Sequence, residues 1–228
     1  MRKLKIKDIR RIQIIKASLE IIGKEGFKGL TLDHVARQAG FSKGVVSYYF
    51  QNKKNLILQS FKTFLEYYMQ KISASIKEDM TAMEMFDCIL EAVLSPLENK
   101  REALEGEAQY DIPQALSLDL PLNLQSQLFL HFYSQAMLDK DFHKVVQDMY
   151  SQYFRSIVEL IEYGIQKGEF KEVDAEETGY EIMALMEGVV TYHLMGFSPF
   201  RERNMQEFCR EFIRGCLLKV SWTKKWGS

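Results

Sequence analysis

The chain has 228 residues, 46% of them hydrophobic, and carries 30 Lys and Arg against 31 Asp and Glu. That length buries a sizeable core and fits one or two domains. No run of about 18 uncharged apolar residues occurs, so no membrane-spanning helix is expected, and three scattered cysteines exclude a disulfide framework.

The near-neutral total conceals a division. Residues 1–54 hold 13 Lys and Arg but only 4 Asp and Glu, a balance of +9, and the rest of the chain carries −10. Such asymmetry suggests a nucleic-acid-binding head on an acidic body. The expected domains are therefore residues 1–54, a DNA-binding head with a basic arm, and residues 55–228, a body for effector binding and dimerisation. Arg2, Lys3, Lys5 and Lys7 form the arm. Contact with phosphate or the minor groove and a solvated tail remain equal readings of it. The charged start MRKLKIKDIRR is not followed by an apolar stretch and cleavage site, so it does not read as a signal peptide. With the odd cysteine count, this points to a cytoplasmic protein.

A first helix is expected near residues 8–25, with Ile12, Ile15, Leu19 and Ile22 as its buried stripe. Residues 31–56, TLDHVARQAGFSKGVVSYYFQNKKNL, then read as helix, tight turn, short helix and the start of a long helix. Thr31 caps the first of these, along which Leu32, Val35, Ala36 and Ala39 recur at helical spacing. Gly40 ends it, since glycine reaches left-handed dihedrals without a Cβ clash. Ser42 caps the short helix, and Phe50 closes the unit.

A helix–turn–helix lays its second helix in the major groove with its N-terminal residues at base edges. Here that end offers Ser42, Lys43 and Gly44. Lys43 can donate to guanine O6 or N7, and Gly44 lets the backbone approach closely. Tyr48 and Tyr49 can donate to phosphate, and Lys53 adds charge at a helix N-terminus that itself favours anions. Two lysines, 53 and 54, in one first turn oppose the helix dipole, and a phosphate partner would explain keeping them.

Thr31, Val35-Ala36, Ala39-Gly40, Ser42-Lys43-Gly44, Tyr48-Tyr49-Phe50 and Lys53 together resemble the TetR family of bacterial transcriptional regulators. The resemblance extends back through Ile14, Ala17, Leu19, Ile22, Gly26 and Phe27 and spans roughly residues 8–60. Many members carry a phosphate-contacting tyrosine where this chain has Ser47, whose reach is shorter. A subgroup resembling the choline-responsive regulators shares the serine. The resemblance implies DNA contacts from Thr31, Ser42, Lys43, Gly44, Ser47, Tyr48, Tyr49 and Lys53, and a double-stranded operator as partner.

The long helix is expected to reach about Lys77, with Ile57, Phe61, Phe64, Tyr68 and Ile72 along one face. Thr81 starts a helix ended near Ser95-Pro96; a short helix near 100–109 and a proline-punctuated loop follow. Helices near 123–138 and 141–168 come next, the latter ending in Gly164-x-x-x-Gly168-Glu169-Phe170, a tail that also resembles one recurrent in TetR-family bodies. Two last helices, Ala175–Met195 and Phe200–Ser221, flank the breaker Gly196-Phe197-Ser198-Pro199. The fold class is all-α. The resemblance implies that these two helices form a four-helix interface in a homodimer. Physics agrees: one short recognition helix makes few base contacts, and two half-sites ~34–36 Å apart combine their affinities.

Interhelical pockets are lined by apolar and aromatic side chains. Candidates for a small-molecule effector site are Phe64, Tyr68, Phe86, Ile89 and Tyr110, with Phe129, Tyr133, Met183 and Met186. They suggest an apolar or aromatic effector. The four histidines show no metal spacing, no cofactor motif is present, and no phosphate loop, nucleophile elbow or supported triad occurs. The chain thus reads as a ligand-responsive regulator, most simply a repressor, and not as an enzyme. The other reading is a helical small-molecule-binding or enzymatic protein whose helix–turn–helix only packs.

Overall fold

The computed structural model describes residues 5–98, 118, 120–197 and 204–219. Among the described residues the chain forms nine α-helices and no strand. They are α1 (Ile6–Gly29), α2 (Leu32–Ala39), α3 (Lys43–Phe50), α4 (Lys53–Ser75), α5 (Ala82–Glu98), α6 (Leu122–Ala136), α7 (Lys140–Gln166), α8 (Ala175–Leu194) and α9 (Met205–Leu217). The short helix expected near 100–109 lies outside the described residues. Helix α5 ends at Glu98, two residues past the Ser95-Pro96 pair near which its end is expected.

Packing divides the chain into two compact units, one within residues 1–74 and 106–149, the other within 75–105 and 150–228. The packing does not follow the division expected after residue 54. In the first unit, Ile14, Leu19 and Ile22 of α1, Phe61 and Phe64 of α4, and Leu124, Leu128 and Phe132 of α6 share one core with Val35, Val46 and Phe50 of the short helices. Phe61 stacks on Phe132 with ring centroids 3.9 Å apart and planes 12° from parallel.

Two glycines let α1 approach α6. A Cβ on Gly23 would lie 2.1 Å from Leu124 Cδ1, so only glycine fits without moving Leu124. Gly26 breaks the helix with φ 69°, a left-handed conformation that costs other residues energy. Regular helix thus stops at about Glu25, as the pattern predicts. Phe27 then turns inward, its ring edge-on to Phe132 at 5.5 Å and to His131 at 5.9 Å.

The second unit shows why the tail of α7 has its spacing. Gly168 takes φ 72°, and the N–H groups of Glu169 and Phe170 both donate to the Gly164 carbonyl. This turn folds Phe170 back into the core, where its ring faces Phe86 at 6.2 Å. Glu169 reaches the start of α5 and accepts from the Ala82 N–H at 2.7 Å. At the same helix end, Thr81 and Glu84 form a reciprocal capping box. These contacts keep the Glu84 carboxyl below its ordinary range, the Thr81 N–H first and the Thr81 hydroxyl second.

A Cβ on Gly164 would sit 2.2 Å from the Phe170 ring. Gly164→Ala should therefore destabilise although alanine favours helix by about 1 kcal/mol. Overpacking costs typically 1–3 kcal/mol, and a fall in Tm of roughly 2–8 °C in a calorimetric scan is expected. An unchanged or raised Tm would show that Phe170 is not confined as described.

Candidate nucleic-acid interface and effector site

Helices α2 and α3 are eight residues each, too short to persist alone in water. Capping and core contacts hold them. Thr31 Oγ1 accepts from the His34 N–H at 3.1 Å. At the far end, Gly40 adopts φ 73° and the Phe41 N–H returns to the Ala36 carbonyl at 2.8 Å, a glycine-terminated stop. Ser42 Oγ accepts from the Val45 N–H, which starts α3 two residues after α2 has closed. Val46 and Phe50 are fully buried and fix the α3 face that turns inward. Arg11 of α1 stands over the Phe50 ring at 5.4 Å and donates to Gln59 of α4.

The outward face of α3 carries the residues expected to meet DNA. Tyr48 is 73% exposed. Tyr49 is half-buried, packed edge-on to Tyr48 and tilted against Phe50. Gly44 has open space where a Cβ would be, with only Ser42 Oγ at 3.8 Å. Nothing inside the chain requires glycine there. Lys43 is exposed and pairs with Asp33 of α2 at 2.7 Å; exposed pairs of this kind contribute little to stability. Ser47 is half-buried on the same helix.

The turn into α4 is tight. Gln51 takes φ 64°, the Asn52 side chain accepts from the Asn55 N–H, and the Asn55 side chain returns to the Phe50 carbonyl at 3.0 Å. Lys53 Nζ donates to the Phe27 carbonyl at 2.6 Å. An ammonium carries three donors, so this bond engages only one of them. His34 is half-buried, and its Nδ1 lies 3.2 Å from the Gly29 carbonyl.

The candidate effector residues fall into two groups. Phe64, Tyr68, Phe129 and Tyr133 form a ring cluster between α4 and α6, with Phe129 at 5.3 Å from Phe64, 5.6 Å from Tyr68 and 6.1 Å from Tyr133. Phe86, Ile89, Met183 and Met186 are buried in the second unit. Tyr110 lies outside the described residues. A cleft of about 400 Å³ opens between α7 and α8, lined by Tyr150, Phe154, Tyr180, Met183, Ala184 and Glu187 among others. Sequence reasoning singled out only Met183 of its apolar walls; Tyr150 and Phe154 follow the apolar stripe of α7, and helical spacing does not show that this part of the stripe borders a cleft. Burial raises the Glu187 carboxyl above its ordinary range, and a bond from Tyr150 partly offsets this. Among the described residues no cluster suited to a metal ion occurs, and no helix is long and apolar enough to cross a membrane.

Capped short helices on a basic head, with an exposed polar and aromatic face, define a helix–turn–helix transcriptional regulator. Residues 14–59 match the model for bacterial regulatory proteins of the tetR family, and residues 113–218 match that for the BetI-type transcriptional repressor C-terminal region. The chain belongs to the TetR family of transcriptional regulators, and its relatives are regulators, not enzymes. It is 25% identical over 221 residues to the HTH-type transcriptional regulator BetI of Escherichia coli (strain K12), covering 93% of this chain and 96% of that protein. It is also 25% identical over 193 residues to the fatty acid metabolism regulator protein of Bacillus subtilis (strain 168), covering 84% and 87%. Among solved structures, a putative transcriptional regulator from Saccharomonospora viridis in complex with choline superposes with TM-score 0.67 at 18% identity, over 90% of this chain and 93% of the other. The regulator FadR from Bacillus subtilis in complex with stearoyl-CoA gives 0.65 at 20%, over 92% and 99%.

Proposed function

We propose that the chain is a homodimeric repressor that binds a double-stranded operator and is released by a small apolar or aromatic effector. The observation that carries the DNA-binding part is the outward face of α3. There an exposed tyrosine, a lysine and a glycine with no internal reason to be glycine stand together on a head of charge +9. In this reading Lys43 exchanges Asp33 for a base edge, Gly44 admits the DNA closely, and Ser42, Ser47, Tyr48 and Tyr49 bond phosphates. Lys53 adds charge beside them, and Thr31 contributes where α2 begins.

Dimerisation is supported by α8. Its inward face buries Ile182, Met183, Met186 and Val189. Its outward face leaves Tyr180 70%, Tyr192 56% and Met195 77% exposed, with Ala184 and Gly188 between them. Gly188 has nothing within 4 Å of its Cβ position in the subunit. Large apolar side chains on one open face mark an interaction surface, and small residues between them let a second helix approach. Leu217 of α9 is likewise buried within the subunit and takes no part in that face.

The effector reading rests on the aromatic lining, both in the α4–α6 ring cluster and in the α7–α8 cleft. A ligand that binds the released state more tightly, with a coupling of ~1–3 kcal/mol, lowers operator affinity several- to a hundred-fold. Choline and stearoyl-CoA, seen in the two structural neighbours, belong in any panel of trial effectors.

Selection from a random duplex pool should enrich a two-fold symmetric site. Lys53→Ala should weaken binding to every sequence and reduce the salt slope by about 1, and Lys43→Ala should relax preference at one position per half-site. An unaltered slope and unaltered selected sites would remove both residues from the interface. For the dimer, Gly188→Leu fits the open space of one subunit, so the folded chain is expected to survive while sedimentation shows monomer at micromolar concentration. A dimer undiminished by the change would move the interface elsewhere. For the effector, a member of an apolar and aromatic panel should raise Tm. Saturation at a hundredfold over Kd adds about 2.7 kcal/mol, and the same compound should release the duplex. A panel that leaves Tm unmoved would overturn the apolar class.

A further inference from the structure

The first turn of α4 carries two adjacent lysines where the helix dipole disfavours cations. The DNA-binding reading uses Lys53 and leaves Lys54 without a role. Lys54 is exposed, yet its ammonium is not left to solvent alone. Its ammonium lies 2.8 Å from Asp139 and 2.6 Å from Asp141. Those two carboxylates sit at the corner between α6 and α7, some 85 positions along the chain but inside the same compact unit. The corner is itself organised: Asp139 Oδ1 accepts from the Asp141 N–H at 2.9 Å and so helps start α7.

Three features tie this corner to the recognition helix. Lys54 stands four residues after Phe50, the last residue of α3, and the Gln51–Asn52 turn between them is locked by the Asn55 and Asn52 bonds. Phe27, whose carbonyl holds Lys53, packs its ring near Phe142 of α7 as well as Phe132 of α6. Gly23 and Gly26 press α1 onto Leu124 and His131 of the same helix α6. The α3–α4 turn is thus held on one side by Phe27 and on the other by the two aspartates.

We propose that Lys54, held between Asp139 and Asp141, is a positioning latch through which the α6–α7 corner sets the orientation of α3 on the operator. The corner and α6 travel with the DNA-binding helices as one body, and operator affinity depends on the latch being closed. This rests on the DNA-binding reading above and concerns what fixes the recognition helix, not what it touches. Mutual bonding acts on both partners: the two carboxylates raise the Lys54 ammonium above its ordinary range, and Lys54 first, then the Asp141 N–H, lowers Asp139. The Lys54–Asp139 pair is therefore lost at two ends, in acid as pH falls through the lowered Asp139 value and in alkali as pH rises through the raised Lys54 value.

Charge gives the test its sign. Removing acidic residues from a protein ordinarily strengthens its hold on a polyanion, because repulsion falls. The latch demands the opposite. The probe is a duplex enriched from a random pool by the unmodified protein, titrated at several salt concentrations. The double change Asp139→Asn with Asp141→Asn should lower affinity roughly two- to thirty-fold, despite shedding two negative charges per subunit. Lys54→Ala should lower it by a similar factor with the salt slope unchanged, Lys54→Arg should restore it, and combining all changes should be no worse than either alone. Amide exchange across residues 50–55 should rise in the weakened variants. Tighter duplex binding by the double aspartate change would overturn the proposal, since the acids would then merely repel. A salt slope lowered by about 1 in Lys54→Ala would overturn it too, placing Lys54 on a phosphate. If the unmodified protein enriches no duplex, the DNA-binding reading itself fails, and exchange at 50–55 still decides whether the latch holds the turn.

Discussion

Close approach of α1 to α6 is the constraint on which the rest of the first unit depends. Gly23 removes the one carbon that would collide with Leu124, and Gly26 bends the chain so that Phe27 enters the ring cluster of α6 and α7. Burying Phe27, Phe61 and Phe132 together is the main apolar gain available to this region, since each aromatic ring withdraws a large area from water. Larger residues at 23 would lever α1 away, and the stripe of α1 that also supports α2 and α3 would go with it.

That dependence explains how two eight-residue helices hold a fixed geometry. Neither α2 nor α3 has the length to be stable by itself, and each buries only two side chains completely. Their precision comes from three hydrogen-bonded ends in succession: Thr31 before α2, Gly40 after it, and Ser42 before α3. Val35, Ala36, Val46 and Phe50 then dock on a surface that α1, α4 and α6 have already built. The recognition face is displayed by a short element on a rigid base, and its angle is inherited from that base. A helix–turn–helix of this kind is not an independent domain. Its packing unit takes in α4 up to residue 74 and α6 as well.

Electrostatics follows the same division of labour. The head is basic, yet the structure accounts for several of its cations internally: Lys43 by Asp33, Lys53 by the Phe27 carbonyl, Lys54 by Asp139 and Asp141, and Arg11 by Gln59 and the Phe50 ring. Net charge therefore overstates the cations wholly free for phosphate. What it describes correctly is the long-range field, which steers a polyanion toward the head whatever local partners each lysine has. Short-range grip depends on which of those partners yield. Asp33 is exposed and paired singly; Asp139 and Asp141 act together and are anchored at a helix start.

Local signals carried most of what could be read from the sequence. Caps, the Gly40 stop, the break after Glu25 and the positions of most helices depend on residues within a few positions of one another, so a single chain displays them. Packing between distant elements leaves no such trace. Nothing around Gly23 or Gly164 shows that Leu124 or Phe170 fills the missing carbon's place. Lys54 illustrates the point most clearly. Read locally, two lysines against a helix dipole call for an anion, and phosphate is the natural choice for a DNA-binding head. The fold supplies two carboxylates instead, from a corner whose sequence, Leu138-Asp139-Lys140-Asp141, looks like any solvated turn. The effector candidates divide between the units for a related reason: helical spacing identifies which side chains face inward, but not which inward faces meet. Phe64 and Phe129 meet in one unit while Phe86 and Met186 are buried in the other. The α7–α8 cleft, with its single carboxyl among rings, shows the same limit: Tyr150 and Phe154 lie on the apolar stripe of α7, and that stripe does not reveal that it meets Met183 of α8.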